Sequence, residues 1–99
     1  MSEMKYIDTH AHLNLAQFDT DRAEAYARCQ EKGVGMINIG TRKDTSKLAV
    51  DLAREYENVW AIVGIHPLNV VTADPDDHGA TEPEQSLDFD FYKALATDP

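Results

Sequence analysis

Hydrophobic positions along the chain fall into two alternating kinds of run: short and nearly continuous, or longer and spaced by three or four residues. Tyr6-Ile7-Asp8-Thr9 is a short strand candidate that runs into the polar cluster His10-Ala11-His12. A helix follows to about Lys32, with Asp19 or Thr20 as its cap, Phe18 as a staple and Gly33 just past its end. Its apolar face is modest, made of Ala25, Tyr26, Cys29 and the aliphatic stem of Arg22. Val34 to Ile39 reads as a second strand and Gly40 to Lys43 as a turn. A second helix is expected over Thr45 to Glu57, capped by Asp44 or Thr45 and buried along Leu48, Ala49, Leu52, Ala53 and Tyr56. Val59 to Ile65 is apolar throughout, which predicts a third strand covered on both faces, as in a parallel sheet.

Strand, helix, strand, helix, strand with short joints is the pattern of consecutive βαβ units, so the fold class is α/β with parallel strands. After Pro67 the composition changes. Residues 69–87 form an acidic excursion, densest from Ala73 to Ser86, and Phe89, Tyr92, Ala94 and Leu95 then suggest a short helix. Ninety-nine residues make one domain at most. Three parallel strands alone leave two open edges, and an α/β repeat needs a strand after that last helix. The expectation is a single partial domain, 1–99, of a protein that continues.

Charge sharpens this division. The net charge is −9, but Met1 to Ile65 carries 8 Lys and Arg against 10 Asp and Glu, while His66 to Pro99 carries 1 against 8. No basic cluster offers a bulk electrostatic hold on nucleic acid, so a phosphate would have to be gripped locally. No apolar stretch approaches the roughly 20 residues that span a bilayer, so no membrane association is expected. Cys29 is the single cysteine, which excludes an internal disulfide and fits a reducing, cytoplasmic setting.

The candidate chemistry lies in the histidines. If strand geometry persists through His12, then His10 and His12 project side by side from the carboxyl end of the first strand, where one divalent cation can reach both. Asp8 shares that face and could orient a ligand imidazole. Parallel α/β folds place their ligands at this edge. The competing reading is a pair of exposed histidines that bind nothing. His66 repeats the theme at the end of the third strand, where Pro67 holds it extended. It serves either the same rim or only the loop backbone. His78, beside Asp76 and Asp77, reads as an exposed loop residue, and Cys29, Phe18 and Trp60 as packing residues. Asn38 and Thr41 end the second strand as rim contacts or as turn chemistry.

Ile7-Asp8-Thr9-His10-Ala11-His12-Leu13-Asn14 resembles the opening motif of the TatD family of metal-dependent deoxyribonucleases and related hydrolases. Val63-Gly64-Ile65-His66-Pro67 is similar to that family's second motif, and the resemblance runs from about Tyr6 to Pro67 with a weaker echo from Phe89 to Pro99. It implies the N-terminal portion of a TIM-like (β/α)8 barrel with one or two divalent ions, zinc, magnesium or manganese, at the carboxyl rim. It further implies that His10 and His12 are metal ligands and that His66 is a catalytic-site contact to substrate or phosphate. The implied reaction is hydrolysis of phosphodiester bonds, in DNA, by metal-activated water. The family's further ligands, a Glu after the next strand, more histidines and an Asp, have no counterpart here, and Leu68 replaces a histidine of the second motif. These residues alone are therefore expected to bind metal weakly and turn nothing over. No protein partner is suggested. The alternatives are another His-x-His metallohydrolase, of the PHP phosphoesterase or amidohydrolase type, and a non-catalytic α/β interaction module.

Overall fold

The computed structural model describes residues 4–71 and 87–97. In chain order these residues form β1 (Tyr6–Ala11), a 3₁₀ turn (Ala16–Phe18), α1 (Arg22–Glu31), β2 (Val34–Ile39), α2 (Lys43–Glu55), β3 (Val59–Ile62), α3 (Leu68–Val71) and α4 (Phe89–Ala96). The strands make one parallel sheet in the order β1-β2-β3. That is the expected α/β succession, with β2 at its expected bounds. His78 and most of the acidic excursion lie outside the described residues, while its first residues belong to the short helix α3 rather than to a loop.

Both helix starts differ from expectation for local reasons. Asp19 does not cap α1. Its carboxylate pairs with Arg22 at 2.7 Å, and the helix begins at Arg22 without a side-chain cap. α2 starts two residues early because Thr45 works from inside the first turn, its hydroxyl accepting from the amides of Thr41 and Arg42 at 2.9 and 3.1 Å. The ends obey the backbone rules. Gly33 follows α1 at φ 73° and Asn58 follows α2 at φ 62°, a left-handed conformation that these two residue types tolerate best.

The core lies between the sheet and the helices. Tyr26 of α1 and Leu52 of α2 bury against Met36 and Val59, with Leu13, Cys29, Leu48 and Tyr56 around them. The Tyr26 and Tyr56 rings stand 3.9 Å apart, and the Tyr26 hydroxyl donates to the Glu57 carbonyl at 2.6 Å. Burial therefore raises the Tyr26 pKa above the usual phenol value.

The other side of the sheet departs from expectation. β3 is only four residues long, and among the described residues it is covered on one face only. Pairing puts Ile37 level with Trp60 and Ile39 level with Ile62. Trp60 is 45% exposed, Ile62 49% and Ile7, on the same face, 44%. Among the described residues the apolar run thus has one face packed on helices and one bare, and Trp60 is not in the buried core.

α4 docks on α2. Asp88 caps it by accepting from the Phe91 amide at 3.1 Å, and its second oxygen meets Lys43 of α2 at 3.0 Å. The Lys43 hydrogen bond, then the Phe91 amide, hold the Asp88 pKa below its ordinary 3.8. A depressed carboxylate contributes stability that is complete above the unfolded pKa and is lost as pH falls through the folded one. In urea unfolding at a series of pH values, Asp88→Ala should be less stable than the parent at neutral pH, and the gap should close below pH 3.8. A gap that persisted at the acid end would mean that Asp88 acts by packing.

Candidate metal centre

Strand geometry carries β1 through His10 to Ala11, but not regularly. Asp8 pairs with Met36 and Ala11 with Asn38, so three steps along β1 match two along β2. This bulge breaks the alternation expected to align Asp8 with both histidines, and bulges commonly re-aim side chains beside functional sites. The Asp8 carboxylate accepts from the His10 backbone amide at 3.0 Å, which ties down the irregular step. The expected grouping nevertheless forms. Asp8, His10 and His12 line one cavity of about 320 Å³ with Phe18, Cys29 and Met36. The cavity is not confined to the strand's carboxyl end, because it extends down the side of β1 as far as Val34.

The two imidazoles meet edge to face, with ring centres 5.0 Å apart and planes at 75°. At a metal–nitrogen distance of about 2.0–2.1 Å, two imidazoles on one ion have centres about 4.6 to 5.3 Å apart, for bond angles from octahedral to tetrahedral. The pair, at 5.0 Å, falls within that range. It is not a complete donor set. Among the described residues no group of three or more His, Cys, Asp or Glu gathers closely enough to hold a metal. Catalytic zinc takes three protein ligands.

What fixes the pair is a set of buried polar side chains. Asn38, 1% exposed, accepts from the Leu13 amide at 3.0 Å. Asn14, also 1% exposed, donates to the carbonyls of Ile39 and Thr45, each at 2.9 Å. Arg22 reaches from α1 to the carbonyls of Leu13 and Leu15. The segment directly after His12 is thereby stitched to the exit of β2, the start of α2 and α1. Ser46, buried in α2, accepts from the Gly64 amide at 3.1 Å and donates to the Gly64 carbonyl at 3.2 Å, which holds the exit of β3. Sequence reasoning assigned no role to Asn14, Ser46 or Asn69. A polar residue just past a strand reads as turn chemistry unless the neighbouring loops are known.

His66 stands apart from the cavity, at the exit of β3, with β2 between it and β1. Two strand spacings are about 9 to 10 Å. The His66 amide donates to the Thr41 carbonyl at 2.8 Å, and its ring Nδ1 accepts from the Leu68 amide at 3.1 Å. A neutral imidazole that accepts at Nδ1 carries its proton on Nε2. His66 therefore offers an N–H donor, suited to a phosphate oxygen and unsuited to a metal. Thr41 is the rim residue that receives it, while Asn38 faces inward to Leu13.

A family model described as TatD related DNase matches residues 7–93. The chain is 35% identical over 71 residues to an uncharacterized metal-dependent hydrolase, YabD, of Bacillus subtilis, a stretch covering 71% of this chain and 28% of the relative. It is 38% identical over 66 residues to the 3′-5′ ssDNA/RNA exonuclease TatD of Cronobacter sakazakii, covering 66% and 25%. An uncharacterized metal-dependent hydrolase of Mycoplasma genitalium, MG009, matches at 35% over 72 residues, covering 72% and 28%. The chain thus spans about a quarter of the length of these relatives. The family match begins one residue before Asp8, takes in both histidine sites and every strand between them, and ends within α4: the chain belongs to the TatD-related DNase family.

Proposed function

We propose that these residues are part of a hydrolase that cleaves phosphodiester bonds in nucleic acid, with His10 and His12 as ligands of a divalent ion and His66 as a donor to phosphate. The observation that carries this reading is the cavity shared by the two imidazoles at a ring separation of 5.0 Å. The relatives are named as metal-dependent hydrolases and as exonucleases of single-stranded DNA and RNA, which supports both the metal and the substrate class.

When bound, a divalent ion supplies a nucleophile at neutral pH by lowering the pKa of water, and it polarises a phosphoryl oxygen. The residues do the rest. His10 and His12 would hold the ion, and the bulge at Asp8 sets the angle at which they leave β1. His66 donates from Nε2 to a nonbridging oxygen, roughly one or two strand spacings away, and so orients the phosphate. Such a grip needs no basic surface, in keeping with the near balance of charge from Met1 to Ile65. Ligands beyond the histidine pair come from residues outside those described.

Calorimetric titration of the full protein with manganese or zinc tests the assignment. Saturable binding is expected, with His10→Ala and His12→Ala each weakening it by about tenfold or more, the scale on which disturbed metal sites respond. Binding indifferent to both substitutions, or none at all, would favour the interaction module.

A further inference from the structure

The ring of His66 is exposed, yet its backbone and one ring nitrogen are fixed. Its amide donates to the Thr41 carbonyl at 2.8 Å, its carbonyl accepts from the Asn69 amide at 2.8 Å, and its Nδ1 accepts from the Leu68 amide at 3.1 Å. Nε2 is what remains for a ligand. Behind the turn sits Asn69, with 0% exposure. Its side-chain Nδ2 donates at 3.0 Å to the same Thr41 carbonyl that receives the His66 amide. A carbonyl has two lone pairs, and both are used here by one turn. Thr41 is itself anchored, its amide donating to the Thr45 hydroxyl at 2.9 Å and its own hydroxyl lying 3.1 Å from that of Thr45. A buried carboxamide deprived of its acceptor loses free energy that water cannot return, so this clasp has one low-energy arrangement.

We propose that Asn69 is the positioning residue for His66. Its buried side chain pins the turn from His66 to Leu68 onto the exit of β2, so that the Leu68 amide meets Nδ1 and the ring presents Nε2–H at a fixed place. This deepens the proposed function and rests on His66 being the phosphate contact. An alanine at 69 frees the turn without touching either metal-binding histidine, so its effect belongs to the reaction rate and not to metal affinity. Leu68→Pro removes the one amide that holds the ring while leaving the Asn69 carboxamide in place. Leu68 is exposed and opens α3, a position where proline is accepted.

The test combines ring spectroscopy with kinetics on the full protein. Nitrogen-15 spectra of the histidine rings should show the His66 proton on Nε2 in the parent. Asn69→Ala should lower kcat on a single-stranded oligodeoxynucleotide by about tenfold or more, while the Kd for manganese stays within about twofold, as expected for a support that never touches the metal. In a His66→Ala background the same substitution should cost nothing further, since residues acting as a unit are not additive. If Asn69→Ala does not fold, Leu68→Pro carries the kinetic arm with the same tenfold expectation. A parent proton on Nδ1, or a full loss that persists without the His66 ring, overturns the proposal. A parent that hydrolyses no nucleic acid counts against the proposed function, and the ring spectra then decide the positioning role alone. Mixed tautomers in Asn69→Ala support that role, and an unchanged spectrum sinks it.

Discussion

If the proposed function holds, the full protein with His10 and His12 both alanine should hydrolyse single-stranded DNA about 10³-fold more slowly than the parent, or worse, a loss of about 4 kcal/mol of transition-state stabilisation. The size follows from what a divalent ion contributes. A bound ion would make a nucleophile from water by lowering its pKa, and would offset charge on the phosphoryl group. With the proposed ligands gone, both contributions would be lost together. The folded state should tolerate the change, because His10 is exposed and His12 only half-buried. His66→Ala should be milder, near the loss of about 10² that follows deletion of one oxyanion donor. Initial rates at saturating manganese, with circular dichroism as a folding control, provide the comparison. A double variant within tenfold of the parent would show that the ion sits elsewhere.

The second large effect concerns stability. Gly40→Ala should destabilise the fold by about 3 kcal/mol, at the upper end of what overpacking a tight site costs. Gly40 leaves β2 and its amide donates to the Ile62 carbonyl at 2.7 Å, joining two strand exits. An added Cβ would lie 2.6 Å from the α-carbon of Ser46 and 2.9 Å from the Ile62 carbonyl oxygen, and closer still to the Ser46 hydroxyl. Two of these neighbours are backbone, so no rotamer change relieves them. Either α2 retreats from the sheet or the hydroxyl releases Gly64. Urea unfolding should show a lower midpoint with an unchanged slope. Adding Ser46→Ala should not restore stability, because the clash with the backbone of residue 46 persists. Full rescue would place the conflict in the hydroxyl alone.

Sequence revealed the succession of elements because each segment's own periodicity matched its final state. Val34 to Ile39 formed a strand at those bounds, and Leu48, Ala49, Leu52 and Ala53 line the packed side of α2. The adjacency of the two histidine rings was legible too, since residues two apart near a strand end can point the same way. What stayed hidden depends on neighbours distant in sequence. The bulge after Asp8 exists only relative to β2. A continuous apolar run cannot distinguish a strand covered twice from one covered once, which is why Trp60 reads from the sequence as a packing residue. Asn14, Ser46 and Asn69 look like ordinary turn or helix-end residues, and only the juxtaposition of three loops shows them buried and bonded across strand exits. The tautomer of His66 is set by an amide two residues away, which no residue type could announce.

Trp60 is the single tryptophan in the chain, and it stands amid the bare side of the sheet opposite Ile37. That placement makes it a built-in optical gauge. Its indole, 45% exposed, should emit to the red while that surface meets water and shift to the blue once apolar groups close over Ile7 and Ile62. Docking of any further layer onto the sheet can therefore be timed by fluorescence, without a label and without disturbing the histidines.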